Sequence, residues 1–373
     1  MGSGEGDSSQ GAVDVEAVLA EFDSRAEVLE SLCEKTSDLL HDLLEDSAVH
    51  VQSVQARVKR RKKLREKYLS PAKSYKRLDD ITDQAGLRII TYYEDEVDNV
   101  AALIEREFDI DRDNTVDKRK IEPDRFGYSA INYVCRHLGT RTSLREYKKF
   151  TDLRFEIQVT SILSHAWSEM NHGTYDLGAA SPPQVRRRFF QLKALLELAE
   201  AVFIELRNKT VDYERSVAVQ VEANVPDLPL DAISLRSLLD QEPLIRQIDA
   251  AIAAVLGSPA TREPGARIGF WAHAANVAGL KTTKDLREAL NYYQRAIVEY
   301  AELWRPLLAS VPEELMRGLS VYQLAMFLIH AAPDDKAAEA LGALGMHPSE
   351  DRKFGARTEA ARKVMRKYPK QRA

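Results

Sequence analysis

Hydrophobic residues in the first half of the chain recur with two different periods. Between residues 13 and 50 they recur every three to four positions, which predicts a long amphipathic helix. The run GLRIITYY (86–93) is rich in β-branched and aromatic residues and predicts a buried strand. By the same signals, strands are predicted over 86–93, 128–138 and 153–159, and further helices over about 58–68, 97–108 and 162–213, with a break near 181–183.

The second half has only the helical period. Its breaks contain Gly or Pro, and the segment VEANVPDLPLD (221–231), with two prolines, is the best candidate for a linker. The predicted helices are 231–256, 267–279, 283–305, 312–331, 334–345 and 356–368. An α/β domain is therefore expected before an all-α domain, with these divisions: a flexible leader (1–12), the α/β domain (13–220), the linker (221–231) and a helical domain (232–373).

Composition narrows the class of protein. Of the 373 residues, 44% are hydrophobic and 30% charged, enough to bury a substantial core. Apolar runs such as 321–332 are shorter than the ~20 residues that span a bilayer, and the acidic N-terminus lacks the apolar core of a secretory signal. Two cysteines are too few for a disulfide framework. These features favour a cytoplasmic protein.

The net charge of −5 conceals two basic segments. Residues 56–77 contain eleven Lys and Arg against one Glu, and residues 351–373 contain nine against two acidic residues. Such segregation indicates a polyanionic ligand, while a solvated basic helix face remains the alternative.

If the helix predicted over 58–68 is regular, Lys59, Lys63 and Lys67 share one face. Three ammonium groups on one face repel one another unless an anion lies between them. A nucleoside triphosphate or an RNA backbone would meet that need. Arg57 is about half a turn away and could stack on a base.

Two carboxylates accompany the predicted strands. Asp83 precedes the first of them and Glu156 lies within the third. Mg²⁺ is usually held by one or two protein carboxylates, with phosphates and water completing its shell. Tyr128, after Gly127, either presents an exposed ring or packs on the core.

His165, Glu169 and His172 fall on one helix face, which allows a metal site or an ordinary polar face that lines a cleft. The second interpretation is favoured, because no Glu follows His165 directly as in the zinc motif H-E-x-x-H.

In order and spacing, these features resemble the synthetase domain of the RelA/SpoT family over about residues 20–215. The family run R-x-K-x-x-x-S-x-x-x-K matches at Arg57, Lys59 and Lys67, and D-x-x-G-x-R matches at Asp83, Gly86 and Arg88. G-Y-x-S-x-H matches at Gly127 and Tyr128. The long block around H-A-W-x-E matches at Glu156, Gln158, His165, Ala166, Trp167, Glu169, His172 and Tyr175.

The resemblance implies a mixed β-sheet flanked by helices, related to nucleotidyltransferases, and transfer of the β,γ-pyrophosphate of ATP to a ribose 3′-hydroxyl. It further implies that Asp83 and Glu156 bind Mg²⁺, that Glu156 accepts the hydroxyl proton, and that Arg57 and Arg88 sandwich the adenine. By the same resemblance, the residues that bind ATP are Arg57, Lys59, Lys63, Lys67 and Arg88. The catalytic residues are Asp83, Glu156 and Arg88. The residues that bind the acceptor are Gly127, Tyr128, Asn132, Gln158 and His165, with Tyr128 stacking on the acceptor base.

Several positions depart from the family pattern, among them Lys63 in place of Ser, Asn132 in place of His, and Thr160 in place of the Arg of E-x-Q-x-R-T. The motifs that bind the donor, ATP, are thus largely kept, whereas those that bind the acceptor are altered.

The leading expectation is an ATP-dependent pyrophosphokinase that acts on GDP or GTP to make (p)ppGpp. The alternative is a toxic relative that modifies the 3′ end of tRNA, restrained by the helical domain or triggered there by a phage or other protein. A catalytically inactive module that binds RNA or a partner is the third possibility. A homo-oligomer is compatible with each. HDLLED (41–46) resembles the family's hydrolase signature, but with so few residues before it we expect no hydrolysis.

Overall fold

The computed structural model describes residues 15–71, 75–120, 130–173, 182–225, 227–308, 310–346 and 354–369. The chain divides into two compact units, Met1–Arg207 and Asn208–Ala373. Within the described ranges, no helix is long and apolar enough to cross a membrane. The leader predicted over 1–12 lies outside the described residues.

The first unit combines a sheet with helices. Its strands are β1 (Val51–Val58), β2 (Ala85–Thr91), β3 (Phe108–Ile110), β4 (Val116–Asp117), β5 (Ile131–His137) and β6 (Phe155–Ser161). Its helices are α1 (Val15–Asp46), α2 (Arg61–Tyr68), α3 (Glu96–Glu107), α4 (Gly139–Thr142), α5 (Ile162–Gly173) and α6 (Pro183–Glu222), the last of which continues into the second unit.

The sheet is mixed. Its order is β1-β2-β6-β5-β3, with β4 paired to β5. β2 and β6 are parallel, and the other pairs are antiparallel. The predicted fold class, a mixed β-sheet flanked by helices and followed by an all-α region, is therefore confirmed.

Alternation along the strands gives this sheet one apolar face. Phe155, Ile157 and Val159 of β6 are fully buried in the core that α1 and α3 close. The intervening residues Glu156 and Gln158 point to the opposite face. Cys33 and Cys135 are both buried free cysteines of this core.

The helix predicted over about 58–68 begins three residues later than expected, and the strand before it was not predicted. Residues 51–58 form a strand, and α2 begins only at Arg61, after Arg60 in extended conformation. Val54, Ala56 and Val58 alternate with polar residues, and this period of two is the strand signal that the basic run obscured. Two short strands were not predicted either: β3 begins at Phe108, the last residue of the helix predicted over 97–108, and β4 follows at Val116–Asp117.

The second unit is mostly helical. Its helices are α7 (Ala232–Gln241), α8 (Pro243–Leu256), α9 (Arg267–Val277), α10 (Thr283–Trp304), α11 (Leu319–Ala331), α12 (Asp334–Ala343) and α13 (Phe354–Met365). Two short parallel strands, β7 (Ala260–Arg262) and β8 (Leu315–Met316), were not predicted. The helix predicted over 231–256 is divided at Pro243, whose ring suits the first turn of a new helix.

The segment 221–231 is packed, although it was predicted to be a linker. Val221, Leu228 and Leu230 are buried in the core of the second unit. The Leu230 N–H donates to Lys281 O, and the Thr283 N–H donates to Leu228 O. The two leucines on either side of Pro229 thus anchor the segment. The domain limits themselves stay a prediction.

Candidate active site

Strand register brings the polar side chains of the first unit into rows on one face of the sheet. Arg57 lies opposite Gly86, and Gly86 lies beside Glu156. One step along, Arg88 lies beside Gln158, and Gln158 lies opposite Asn132. Side chains directly across from one another share a face. Residues spread over a hundred positions of sequence therefore form one surface.

Asp83 lies at the edge of this surface, where it is bound by two lysines. Its Oδ2 is 2.5 Å from Lys59 Nζ, and its Oδ1 is 2.8 Å from Lys67 Nζ. Burial raises the pKa of Asp83, but the two ammonium groups outweigh it, and the net pKa lies below the ordinary value. Asp83 is thus an anion held between two cations.

The two lysines come from different elements. Lys59 follows β1, where its N–H donates to Gln84 O, and Lys67 lies in the last turn of α2. Lys63 does not join them, because its Nζ is 2.8 Å from Glu66 and its side chain is 70% exposed. The prediction that three lysines share one helix face was wrong, since the helix begins after Lys59.

Glu156 is the second carboxylate of the surface. Burial, and then the charge of Asp83, raise its pKa, while Lys67, Lys118 and Lys59 oppose the rise. Its Oε1 accepts a hydrogen bond from Asn132 Nδ2 at 3.1 Å. The negative charge of Asp83 thus acts on Glu156.

Arg88 is held by three groups. Its Nε donates to Gln158 Oε1 at 2.7 Å, and its Nη1 donates to Glu169 Oε1 at 2.7 Å and to His165 Nδ1 at 3.1 Å. Because arginine only donates, His165 accepts at Nδ1 and is neutral. Burial, and then Arg88, lower the pKa of His165, in agreement with that state.

A cavity of about 820 Å³ lies over the surface. Its volume is within the range of sites for small molecules and cofactors. Six basic side chains line it against three acidic ones: Arg57, Lys59, Arg60, Lys63, Lys67 and Arg88 against Glu66, Asp83 and Glu156. The excess of positive charge favours an anionic ligand.

Another cavity of the first unit, of about 900 Å³, is lined by α5 and α6. The described residues that line it include Arg187, Arg188 and Phe189 but no carboxylate. We therefore assign the candidate chemistry to the cavity over the sheet.

The structure brings together most of the predicted site residues. Arg57, Lys59, Lys63, Lys67, Asp83, Arg88, Glu156 and Gln158 line the one cavity, and Asn132 and His165 contact residues that line it. His165 was predicted to bind the acceptor, but its described contact is with Arg88. Gly127, Tyr128 and Tyr175 lie outside the described residues.

The donor set of the cavity fits magnesium. Asp83, in the turn before β2, and Glu156, within β6, offer hard carboxylate oxygens, and a divalent cation would relieve their mutual repulsion. No group of three or more His, Cys, Asp or Glu side chains suited to a metal occurs among the described residues. Mg²⁺ would thus need ligands from phosphate and water as well.

Residues 56–177 match the sequence model of a family described as the region found in RelA/SpoT proteins. The chain therefore contains a RelA/SpoT region, and the resemblance is confirmed for this segment. A search of curated proteins found no match.

Solved structures similar to the chain include small alarmone synthetases. Small alarmone synthetase 1 from Bacillus subtilis is 17% identical, with a TM-score of 0.43, over 52% of this chain and 98% of that one. The same synthetase bound to its product pppGpp is 20% identical, with a TM-score of 0.42, over 52% and 97%. A GTP pyrophosphokinase family protein from Streptococcus pneumoniae is 18% identical, with a TM-score of 0.41, over 54% and 97%.

Proposed function

We propose that the chain is an ATP-dependent pyrophosphokinase that transfers the β,γ-pyrophosphate of ATP to the 3′-hydroxyl of GDP or GTP. One observation carries the proposal: Asp83 and Glu156 face a single basic cavity in which Lys59 and Lys67 already neutralise one of them. Such an arrangement suits a ligand that brings phosphates and a divalent cation together. The RelA/SpoT region over residues 56–177 supports the same chemistry.

Phosphoryl-type transfer depends mainly on positioning and on stabilising negative charge. Lys59 and Lys67, now bound to Asp83, would exchange that carboxylate for phosphate oxygens when ATP enters. Asp83 and Glu156 would then hold Mg²⁺, which supplies charge neutralisation on the transferred group. Glu156, the more basic of the two, would accept the proton of the attacking hydroxyl.

Arg57 and Arg88 lie on the same sheet face within two register positions of each other. In our proposal they bind the adenine of ATP between their guanidinium groups. Tyr128 and Gly127 are proposed to bind the acceptor base, as the family pattern implies.

The identity of the molecule that accepts the pyrophosphate is a separate part of the proposal. The run of basic residues that suggested tRNA is partly neutralised within the first unit: Arg61 pairs with Asp23 and Glu16, and Lys63 pairs with Glu66. The acidic residues that α1 places beside the run, Glu16 and Asp23, lower the net positive charge that it presents to an RNA backbone. We therefore favour GDP or GTP over the 3′ end of tRNA.

The proposal is tested by incubating the full chain with Mg²⁺ and ATP labelled on its γ-phosphate, together with GDP, GTP or bulk tRNA. We expect label on the guanosine nucleotide, and no transfer by Asp83→Asn. Asp42→Asn, an exposed carboxylate of α1, is the matched control that should remain active. Absence of label on all three acceptors would refute the proposal, and label on tRNA alone would replace its acceptor.

The salt dependence of acceptor binding distinguishes the two acceptors independently of the transfer assay. A tRNA bound through ~3–6 phosphates should lose about one to three orders of magnitude in affinity between 50 and 200 mM salt, because each contact releases counterions. A guanosine nucleotide, with two or three phosphates, should lose much less.

The helical second unit is proposed to regulate transfer. If it restrains the first unit, a chain that ends after Arg207 should transfer pyrophosphate faster than the full chain. Equal specific activity of the two soluble proteins would contradict this role. The cytoplasmic location remains part of the proposal.

A further inference from the structure

Four side chains form a continuous row of hydrogen bonds across the polar face of the sheet. Arg88 Nε donates to Gln158 Oε1 at 2.7 Å, and Gln158 Nε2 donates to Asn132 Oδ1 at 3.3 Å. Asn132 Nδ2 then donates to Glu156 Oε1 at 3.1 Å. The row thus begins at a cation that lines the cavity and ends at a carboxylate that lines it.

Strand register accounts for the row. Arg88, Gln158 and Asn132 are direct neighbours on β2, β6 and β5. Glu156 lies two residues before Gln158 and is therefore diagonal to Asn132, within reach of its amide. The backbone, which the sheet holds rigid, sets the spacing of all four side chains.

The row has only one consistent direction. A guanidinium group can only donate, so Gln158 must turn its oxygen to Arg88 and its NH₂ group to Asn132. Asn132 must then accept with its oxygen and donate its NH₂ group to Glu156. The charges at the two ends therefore determine the orientation of both amides.

The cationic end of the row is itself anchored. Arg88 Nη1 contacts Glu169 and neutral His165, which lie one turn apart on α5. The plane of the guanidinium is thus fixed by groups from β6 and α5, and the row transmits that fixed position to Glu156.

We propose that Gln158 and Asn132 are positioning residues that aim the Glu156 carboxylate from the anchored Arg88. They were predicted to bind the acceptor, whereas their described contacts are with each other, Arg88 and Glu156. The inference rests on the proposed function in one respect: Glu156 is taken as the carboxylate that serves the reaction.

The direction of the hydrogen bonds in the row can be tested separately from their presence. Gln158→Glu keeps the oxygen that accepts from Arg88 but can no longer donate. With a carboxylate on each side, the amide of Asn132 can donate to only one of them and must turn its oxygen to the other, so Glu156 is no longer held in a single orientation. Gln158→Ala merely interrupts the row and leaves Asn132 free to donate to Glu156.

We expect Gln158→Glu to have a kcat about tenfold below that of Gln158→Ala, with KM for ATP within about threefold of wild type. Asn132→Ala should lower kcat by about 10–100-fold, the usual cost of losing a group that orients a ligand. In an Asn132→Ala background, Gln158→Glu and Gln158→Ala should become equal within about threefold. Asn99→Ala, an exposed residue of α3, is the matched control and should leave kcat unchanged.

A second readout does not need turnover. The affinity for Mn²⁺ is measured in the full chain by the EPR signal of free Mn²⁺, in the presence of α,β-methylene-ATP. An added negative charge alone would tighten Mn²⁺ binding in Gln158→Glu, whereas a misdirected Glu156 should weaken it by about tenfold relative to Gln158→Ala.

Equal kcat values and equal or tighter Mn²⁺ binding in Gln158→Glu would overturn the inference. So would a difference between the two Gln158 variants that persists when Asn132 is Ala. If the wild-type chain transfers no pyrophosphate to any acceptor, the proposed function fails, while the Mn²⁺ affinities still decide whether the row positions Glu156.

Discussion

The two faces of the first unit's sheet are built from alternate residues of the same strands, yet they respond to different physical demands. On one face Phe155 and Ile157 are fully buried and exclude water. On the other Glu156 and Gln158 are linked to Asn132 and Arg88 through side-chain hydrogen bonds. A shift of one residue in register would exchange the two sets, so a stable core also fixes the position of the candidate site.

The largest expected effect comes from the carboxylates of the polar face. Asp83→Asn and Glu156→Gln should each lower transfer by about three orders of magnitude, roughly 4 kcal/mol of transition-state stabilisation. Glu156→Gln should change thermal unfolding little, because the Glu156 charge is opposed by burial and by Asp83. Asp83→Asn should lower stability modestly, because it loses two ion pairs. Activity of either variant within tenfold of wild type would remove that residue from the site.

A substitution on the apolar face should produce the opposite pattern. Phe155→Ala should reduce the free energy of unfolding by about 3–5 kcal/mol, because Phe155 is fully buried. The folded fraction should keep its kcat. Urea unfolding measures the first effect and titrated activity the second, with Phe190→Ala, 43% exposed, as the mild control. A loss of kcat in the folded fraction would show that the two faces are not independent.

The apolar face also contains a titratable group, His137. Burial, and then Arg141, lower its pKa from 6.5 to about 4. The unfolded chain therefore binds a proton that the folded chain rejects, and stability that is full above pH 6.5 is lost as the pH falls toward 4. The loss from this residue should be about 2–3 kcal/mol at pH 4.5.

The test compares urea unfolding at pH 7 and 4.5 in wild type and His137→Gln. The variant should lose less stability than wild type over this range, whereas His50→Gln, at an exposed position, should behave like wild type. Identical losses in all three proteins would mean that His137 is protonated in the folded state.

The smallest expected effect is a difference in KM for ATP between variants of Lys67 and Lys63. Lys67→Gln should raise KM for ATP about tenfold or more, since Lys67 lies at the carboxylate that faces the cavity. Lys63→Gln should change KM by less than about threefold, because that side chain is exposed and paired with Glu66. Titration of initial rates with ATP checks both. Equal effects would restore the original picture of three equivalent lysines.

Much of this protein could be predicted from its sequence. The alternation of Phe155, Ile157 and Val159 predicts the buried face of a strand, because successive side chains point to opposite faces. The order and spacing of the four motifs, from the one at Arg57 to the long block that begins at Glu156, carried the RelA/SpoT resemblance, which the family match over residues 56–177 confirms. These signals come from residues that are close together in the chain, so they can be recognised without knowledge of the tertiary structure.

Other features were decided only by the tertiary structure. The point at which the strand ends and α2 begins depended on β2, which pairs with Arg57, and on Gln84 just before β2, whose carbonyl accepts from the Lys59 N–H. That choice removed Lys63 from the group of lysines and placed Lys59 against Asp83. His165 contacts Arg88, 77 positions earlier, because α5 follows β6 beside β2. Such pairings depend on strand order and register, which bring together residues whose spacing along the chain contains no trace of their contact.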